Sequence, residues 1–438
     1  MNRFLLLQYI LLFCVLTSCS GAGKSSVSTK AVEKTDSCKS DAKNTYEVYI
    51  PSRINDADKL PLLVIIDSHG SGKFALKNFK QGANQYPAVL IASNLIKNGY
   101  EGYERAIQTL IDDVRQKYPV NETVFMTGFS GGARMVLGYG LTHSLDGLIL
   151  CGALANRDQL IALRCPVFSI SGMDDFNFME TAQYLFDEKQ TPANLKIELT
   201  NTSHTWPDSL ILANAFGFLR FSCRVVDNSK LPDSQLVQYC QQQLVKINSL
   251  KMQGDYLKAA LVAGNMAQTE PFNSDGVFAS TFQKLKSSPS YISQLNRLGK
   301  CLDFETGVRQ SSVDAFQTKD LMWWKNEINT TNKKITEEAD PYTKDMYRRI
   351  RGFWGIACFS LCKQAINQHN ADVLTKILSI YRVLEPENPD LFYFSSFPPF
   401  WKGNNETTLS TLKKALKAGF TDRSQLKKDF PESITSKL

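Results

Sequence analysis

The segment at 123–143 constrains the fold of this chain more than any other stretch. An apolar run at 123–126 is followed by Gly-Phe-Ser-Gly-Gly at 128–132 and then by a helical pattern that starts at Met135. A strand, a sharp turn and a helix in this order place Ser130 at the apex of the turn. Flanking glycines let the strand and the helix pass closely, while the turn strains the backbone of the serine. The pattern predicts a nucleophile at the carboxyl edge of a sheet, although a plain strand-to-helix turn has the same pattern.

Further apolar runs predict the rest of a sheet. Those that read as strands buried on both faces lie at 62–66, 88–92, 148–151, 167–171 and 195–199. The run at 46–50 alternates and ends at Pro51, which predicts a strand near one edge. Helical patterns at 74–85, 103–118 and 208–221 alternate with these runs. The alternation predicts an α/β fold, a doubly wound and mostly parallel sheet, over residues 45–222.

The histidines leave one candidate for a catalytic base. The chain has four of them, at 69, 143, 204 and 369. His204 lies directly after the last predicted strand, behind both Ser130 and the Gly-Met-Asp-Asp segment at 172–175, whereas His69 and His143 precede that strand and His369 belongs to the C-terminal region. That position matches the chain order of nucleophile, acid and histidine. A loop histidine at the surface is the alternative.

These features resemble the α/β-hydrolase superfamily over about residues 45–222. The segments at 128–133 and 204–207 (His-Thr-Trp-Pro) are similar to the polyhydroxybutyrate-depolymerase-like and feruloyl or acetylxylan esterases. The resemblance implies a serine esterase without a cofactor. It also implies a triad acid after Gly172, which we assign to Asp175; Asp174 is the competing residue, and a helix-capping aspartate is the alternative for either one.

The same resemblance implies two backbone N–H donors for an oxyanion hole. The loop at 67–72 reads Asp-Ser-His-Gly-Ser-Gly, where that family has His-Gly-Cys. We assign one donor to Ser71, with Gly70 as the alternative, and the other to Gly131. Other candidates for contact with a substrate are Asn94, Asn98, Tyr100 and Arg134, each of which is equally compatible with a plain surface position.

The N-terminus resembles the signal peptide of a bacterial lipoprotein. Its apolar run at 4–16 is too short to span a membrane and ends in Leu-Thr-Ser-Cys at 16–19, which is similar to a lipobox. We expect a signal peptide at 1–19, lipid on Cys19 and anchoring in the bacterial cell envelope, periplasmic or surface-exposed. A plain secretory signal is the alternative. The small and polar residues at 20–44 predict a flexible tether.

The distribution of charge argues against a nucleic-acid partner, and the cysteine spacing predicts no metal site. The net charge of +7 is spread along the chain without a basic block, so we expect no nucleic-acid function. Ten cysteines are present, and none has the spacing of a metal site. The eight that remain beyond residue 19 permit disulfides in an exported protein. Cys358 and Cys362 lie four residues apart on a predicted helix, a spacing that favours two buried apolar side chains.

Residues 223–438 change to helical periodicity. Helix pairs are predicted at 236–250 with 256–267 and at 347–368 with 371–384, followed by helices at 391–401 and 408–417. The last part, with its Pro-Asn-Pro-Asp-like break and Gly-Asn turn, resembles tetratricopeptide repeats, which implies a surface for a protein partner. A stabilising appendage without a partner is the alternative. We expect the aromatic residues at 392–401 to form core; a platform for carbohydrate is the alternative.

The sequence thus predicts an exported, lipid-anchored serine hydrolase that acts on esters, with acyl groups on polysaccharide as a candidate substrate. A peptidase on the same fold is one alternative. The other is an inactive hydrolase fold that serves as a binding scaffold.

Overall fold

The computed structural model describes residues 30–52, 59–187, 189–223, 231–273 and 276–438. The predicted signal peptide, with Cys19, lies outside these residues, as does the first part of the predicted tether. Within the described ranges, no helix has both the length and the apolar character needed to cross a membrane.

The first half is built on a single twisted sheet. Its strands are β1 (Val32–Ser37), β2 (Thr45–Ile50), β3 (Leu60–Ile66), β4 (Val89–Ser93), β5 (Val120–Phe129), β6 (Gly147–Cys151), β7 (Val167–Gly172) and β8 (Leu195–Thr200). Their order across the sheet is β1-β2-β4-β3-β5-β6-β7-β8. Strands β1 with β2 and β2 with β4 pair antiparallel, and the other pairs are parallel. The predicted mostly parallel sheet is confirmed.

Strand β1 corrects one prediction. Its residues fall within the stretch at 20–44 that was predicted to be a tether, yet they pair antiparallel with β2 from Val32 opposite Ile50 to Ser37 opposite Thr45. Most of the β1 side chains are exposed, because the strand lies at the edge of the sheet. The tether prediction is wrong for residues 32–37, since an exposed edge strand carries no apolar run that would mark it.

Helices cover both faces of the sheet. They are α1 (Gly72–Gln85), α2 (Tyr103–Lys117), α3 (Gly131–Thr142), α4 (Arg157–Ala162), α5 (Phe178–Ala182) and α6 (Ser209–Ser222). Alternate residues of β3 enter opposite cores: Leu62, Val64 and Ile66 pack with α2 and α3, whereas Leu63 and Ile65 pack with α1 and α6. This division follows from the two-residue period of a strand.

The second half is helical, as predicted. Its helices are α7 (Asp233–Met252), α8 (Tyr256–Ala267), α9 (Val277–Lys286), α10 (Pro289–Thr318), α11 (Leu321–Glu337), α12 (Pro341–Asn367), α13 (Ala371–Leu384), α14 (Pro389–Ser395), α15 (Phe397–Trp401), α16 (Asn405–Lys417), α17 (Arg423–Asp429) and α18 (Glu432–Thr435). The sequence analysis did not predict α9, α10 or α11. Kinship with tetratricopeptide repeats stays a prediction.

A separate core lies within this helical half. Cys358 and Cys362 are fully buried in it with free thiols, which confirms their predicted role as small apolar residues. Tyr393, Phe394 and Phe397 are buried there too, so these aromatic residues form core as predicted.

Helix α8 closes the far edge of the sheet. The side chain of Asn265 accepts a hydrogen bond from the Ile197 N–H (3.2 Å) and donates one to the Ile197 carbonyl (2.9 Å). Lys246 of α7 donates to Glu198 (2.5 Å), which belongs with Ile197 to β8. An unpaired edge strand is a template for aggregation, and here the helical half covers it.

Replacing Asn265 by leucine keeps a side chain of similar volume and removes both of its hydrogen bonds to β8. The buried N–H and carbonyl of Ile197 would lose their partners, so we expect the free energy of unfolding to fall by about 2 kcal/mol. Equilibrium urea unfolding measures the loss. The control is Gln268→Leu, at an exposed position one residue past the end of α8. Equal stability of the two variants would contradict the role given to Asn265.

Candidate active site

Ser130 lies at a strained turn between β5 and α3, as the sequence predicts. Its backbone has φ of +55° and ψ of −118°, and among the described non-glycine residues only His369 also has a positive φ. Close backbone approach requires glycine on both sides of the serine. A Cβ on Gly128 would lie 2.3 Å from the Gly132 carbonyl carbon, and one on Gly132 would lie 2.1 Å from the Ile66 oxygen. These contacts hold the Ser130 hydroxyl at the carboxyl edge of the sheet.

The structure brings the three predicted catalytic residues into one chain of hydrogen bonds. Nε2 of His204 lies 2.9 Å from Oγ of Ser130, and Nδ1 lies 2.9 Å from each carboxylate oxygen of Asp175. The competing residue, Asp174, points elsewhere: its Oδ2 lies 3.6 Å from Nη1 of Arg348. The geometry therefore favours Asp175 over Asp174 as the partner of the histidine.

Short contacts determine the position of the Asp175 carboxylate. The Asn177 N–H donates to Oδ1 (2.8 Å), and the Asn177 amide donates to the Gly152 carbonyl (2.8 Å). Gly152 has a φ of +64°, and a Cβ there would lie 3.2 Å from Oδ2 of Asp175 and 2.7 Å from the Phe129 ring. Asp175 is almost fully buried, so these bonds orient it without competition from water.

Aromatic rings pack against the imidazole of His204. The ring centroids of Phe129 and Phe176 lie 4.7 Å and 4.2 Å from that of the histidine. With 19% of its side chain exposed, His204 is largely shielded but still reachable from the cavity described below. Packing of this kind restricts the imidazole to the orientation in which both of its nitrogens have partners.

Asp67 and Trp206 are site residues that the sequence analysis missed. Nε1 of Trp206 donates to Oδ2 of Asp67 (2.8 Å), and Oδ1 of Asp67 accepts from the N–H groups of His69 (2.9 Å) and Ser71 (3.2 Å). The buried carboxylate therefore links the loop after β3 to the loop that carries His204. The sequence offered one signal for this role, because Asp67 is an acidic residue directly after a fully apolar strand. A buried charge at such a position needs several hydrogen-bond donors.

The oxyanion assignment needs one correction. The N–H of Ser71 is bound to the Asp67 carboxylate, and the N–H of the alternative, Gly70, donates to the Asp67 carbonyl (3.1 Å). The prediction of Ser71 is therefore wrong, because Asp67 folds the loop back on itself. In the described part of the chain no hydrogen bond uses the N–H of Ser68, which lies 3.4 Å from where a Cβ on Gly132 would be.

The assignment of Gly131, the other predicted donor, stays a prediction. Gly131 is the first residue of α3, so its N–H has no acceptor within the helix. The side chain of Asn98 lies directly on it, with Oδ1 only 1.7 Å from the position that a Cβ on Gly131 would take. The N–H of Asn98 in turn donates to the Ser68 carbonyl (2.8 Å), which joins the loop after β4 to the loop after β3 beside Ser130.

A cavity of about 910 Å³ opens over Ser130 and His204. One wall comes from the first half and includes Ser68, Asn98 and Phe176. The opposite wall comes from α11, α12 and α13 of the helical half. A second cavity of about 590 Å³ adjoins the first, and the loop after β3 lines both cavities. The helical half thus forms part of the site.

The remaining candidates lie outside the first cavity or have other partners. Of the three polar residues in the loop after β4, only Asn98 lines the cavity, whereas Asn94 donates to Glu47 (3.1 Å). Arg134 forms an ion pair with Glu180 (2.6 Å) on the surface. His143 stacks on Tyr139, away from the serine.

Asp174 is a carboxylate in a poor environment for charge. Burial raises its pKa, and repulsion from Asp345 raises it further, while Arg348 acts in the opposite direction. Its Oδ1 has no hydrogen-bond partner among the described residues. Asp174 lines the cavity, and ionisation of its carboxyl group lowers the stability of the folded protein.

No protein-family model matches this sequence, and no curated protein matches it. Among solved structures, esterase B from Lactobacillus rhamnosis is similar at 14% identity and a TM-score of 0.36, covering 46% of this chain and 90% of that one. Est1E from Butyrivibrio proteoclasticus is similar at 14% identity and a TM-score of 0.33, covering 42% and 95%. A serine hydrolase without lid from Xanthomonas campestris is similar at 17% identity and a TM-score of 0.33, covering 46% and 98%.

Likenesses this distant carry no argument about chemistry, so the interpretation of the site depends on its own geometry. The eight-stranded sheet, the strained serine after β5, and the order of serine, aspartate and histidine along the chain define an α/β-hydrolase fold. A helical half follows it in the same chain.

Replacing Asp174 by asparagine should stabilise the protein at neutral pH. A folded-state pKa above the ordinary 3.8 means that folding favours the protonated carboxyl, so wild-type stability falls as the pH rises through the raised value. The asparagine of the variant carries no charge at any pH, so the variant does not lose stability in this way. We expect its melting temperature to exceed that of the wild type at neutral pH, and the difference to vanish below pH 3.8.

Thermal unfolding across this pH range measures the difference, and Asp314→Asn, at an exposed position on α10, is the control for the loss of one carboxylate. A variant less stable than the wild type at neutral pH would show that the Arg348 contact outweighs burial.

Proposed function

We propose that this protein is a serine hydrolase that cleaves carboxylic esters by acyl transfer. The observation that carries the proposal is the hydrogen-bonded series from Ser130 through His204 to Asp175, which starts at a serine in a strained backbone conformation. A structural histidine has no need of a strained serine on one nitrogen and a buried carboxylate on the other.

In the proposed reaction, Nε2 of His204 takes the hydroxyl proton of Ser130 while the serine oxygen attacks the ester carbonyl. The resulting imidazolium is stabilised by Asp175, and it gives the proton to the departing alcohol oxygen. Water then enters in place of the alcohol, loses a proton to His204 and attacks the acyl-enzyme. Collapse of the second tetrahedral intermediate returns the proton to Ser130 and releases the carboxylic acid.

The developing oxyanion would be bound by the N–H groups of Ser68 and Gly131. Ser68 lies two residues past the end of the buried strand β3, and Gly131 begins α3. Pre-oriented donors of this kind stabilise the transition state by several kcal/mol, since they need no reorganisation during the reaction.

The cavity supports a substrate larger than a simple short-chain ester. Its volume of about 910 Å³ and its mixture of Phe176 and Phe359 with Arg348, Arg351 and Glu385 suit a molecule with polar groups around the ester. We therefore keep acyl groups on polysaccharide as the candidate natural substrate.

Two further proposals concern location and partners. Export and lipid anchoring in the bacterial cell envelope rest on the segment 16–19. A protein partner for the helical half rests on its resemblance to tetratricopeptide repeats. The surfaces of α11, α12 and α13 that face the active site are already in use as a cavity wall, so such a partner would contact other surfaces.

Removing members of the triad should abolish hydrolysis of a nitrophenyl ester. We expect Ser130→Ala and His204→Ala each to lower kcat by about 10⁶-fold. Asp175→Asn should lower it by about 10⁴-fold, because the histidine then adopts the wrong tautomer. Steady-state kinetics on the purified proteins measure these losses.

The control is Asp158→Asn, an exposed aspartate of α4 that does not contact His204, which should keep kcat within about tenfold of the wild type. Wild-type cleavage of peptide amides but not of esters would favour the peptidase. A wild type that cleaves neither and does not react with a fluorophosphonate would favour the inactive scaffold.

Lipidation makes a separate prediction. We expect the protein from a bacterial host to partition into the detergent phase of Triton X-114, and Cys19→Ala to move it to the aqueous phase, because acyl chains supply most of the membrane affinity. Cys14→Ala, in the same segment, is the control and should not change the partition. Equal partition of all three proteins would contradict the lipobox interpretation.

A further inference from the structure

Three charged side chains of the helical half form a buried cluster beside the active site. Glu305 and Arg309 belong to α10, and Arg349 belongs to α12. Nε and Nη2 of Arg349 lie 2.8 Å and 2.7 Å from Oε2 of Glu305, and Nη2 of Arg309 lies 2.6 Å from Oε1. The side chains of Glu305 and Arg349 have no exposed surface, and Arg309 retains 17% of its own.

Both arginines also reach into the first half of the chain. Nη1 of Arg349 donates to the main-chain carbonyl of Met173, and Nη2 of Arg309 donates to that of Phe176 (2.8 Å). These two carbonyls flank Asp175. The cluster therefore holds residues 173–176, which we call the acid loop, at both ends.

Side-chain packing strengthens the same contact. The Arg349 guanidinium lies over the ring of Phe178, 4.8 Å from its centroid, just past the acid loop. On α12, a Cβ on Gly352 would lie 3.4 Å from Cβ of Phe176, whose ring packs on His204. Helix α12 thus contacts the acid loop at its start, through Met173, and at its end, through Phe176.

Stability alone does not account for such a cluster. Removing three charges from water is unfavourable, and buried ion pairs are often no more stabilising than apolar residues of the same volume. The planar guanidinium, however, presents donors in a rigid fork, so one arginine can bind a carboxylate and a carbonyl in defined directions. The cluster therefore fixes the directions of these contacts, which apolar residues of the same volume would not do.

We propose that Glu305, Arg309 and Arg349 are positioning residues of the active site, through which the helical half sets the placement of Asp175 against His204. The proposal rests on the proposed acyl-transfer function. Glu305 orients the two arginines, and the arginines hold the carbonyls of Met173 and Phe176. Asn177, just past the loop, orients the Asp175 carboxylate. The N–H groups of Met173 and Asp174 join the start of the loop to the carbonyls of Thr200 (2.8 Å) and Thr202 (3.4 Å), and the cluster adds a second support from the helical half that also reaches Phe176.

The test uses conservative variants of the full chain. Arg349→Lys and Arg309→Lys keep the charge beside Glu305 but lose the fork that joins it to the carbonyls. Glu305→Gln removes the charge that orients both arginines. The matched control is Arg297→Lys: Arg297 also joins α10 to α12, through Asp340 (2.7 Å), without a contact to the acid loop. Thermal unfolding identifies any variant that does not fold. If Glu305→Gln does not fold, the two lysine variants, which keep the charge, test the proposal.

Two readouts separate positioning from a merely structural role. Displacing a catalytic group by about 1 Å can lower the rate by about 10²-fold, so we expect kcat on a nitrophenyl ester to fall by that order with KM changed by less than about threefold. The second readout does not need activity. A proton on Nδ1 of His204 that is donated to Asp175 should give a far-downfield NMR resonance in the wild type, and we expect this resonance to move upfield or vanish in the cluster variants. In Arg297→Lys both readouts should match the wild type.

The outcomes distinguish the two proposals. If cluster variants that remain folded keep the wild-type kcat and the wild-type resonance, the positioning role is overturned while the esterase proposal stands. Loss of the resonance in the cluster variants of a wild type that hydrolyses no ester would support the positioning role and overturn the esterase. Equal losses in Arg297→Lys would show that any weakened contact between α10 and α12 has the same effect, which overturns a specific role for the cluster.

Discussion

The hydrogen bond between Asp175 and His204 is the interaction on which the site depends. The two residues lie on loops that follow neighbouring parallel strands, β7 and β8, and those loops must approach closely for the bond to form. Glycine permits that approach: a Cβ on Gly172 would lie 2.1 Å from the Thr202 carbonyl oxygen. With the acid and the histidine in place, Nε2 of His204 reaches a serine whose strained turn points its hydroxyl toward it.

The helical half supports this arrangement in three ways. Asn265 and Lys246 cover β8, the strand that leads to His204. Helices α11, α12 and α13 form one wall of the cavity over Ser130. Arginines of α10 and α12 donate to the loop that carries Asp175. Each contact acts on a different part of the site, so the helical half is better described as a component of the site than as an appendage to the first half.

Much of the first half could be predicted from sequence because its strands are buried on both faces. Runs such as 62–66 and 148–151 stand out for that reason, and the carboxyl ends of parallel strands then bring Ser130, Asp175 and His204 to the same edge. Strand β1 was missed, because an exposed edge strand needs no apolar run. Helix α10 was missed as well, since only seven of its 30 residues are buried and two of those, Glu305 and Ser312, are polar.

The sequence by itself determined the fold class, the order of nucleophile, acid and histidine, and the need for glycine around Ser130, because these depend on local periodicity and chain order. Tertiary structure decided which aspartate meets His204, which N–H groups remain for an oxyanion, and that α10 and α12 reach the acid loop. Those outcomes depend on where residues distant in sequence come to lie: Asp67 takes the N–H of Ser71 once Trp206 completes its set of donors, and Arg349 meets Met173 across 176 positions of chain.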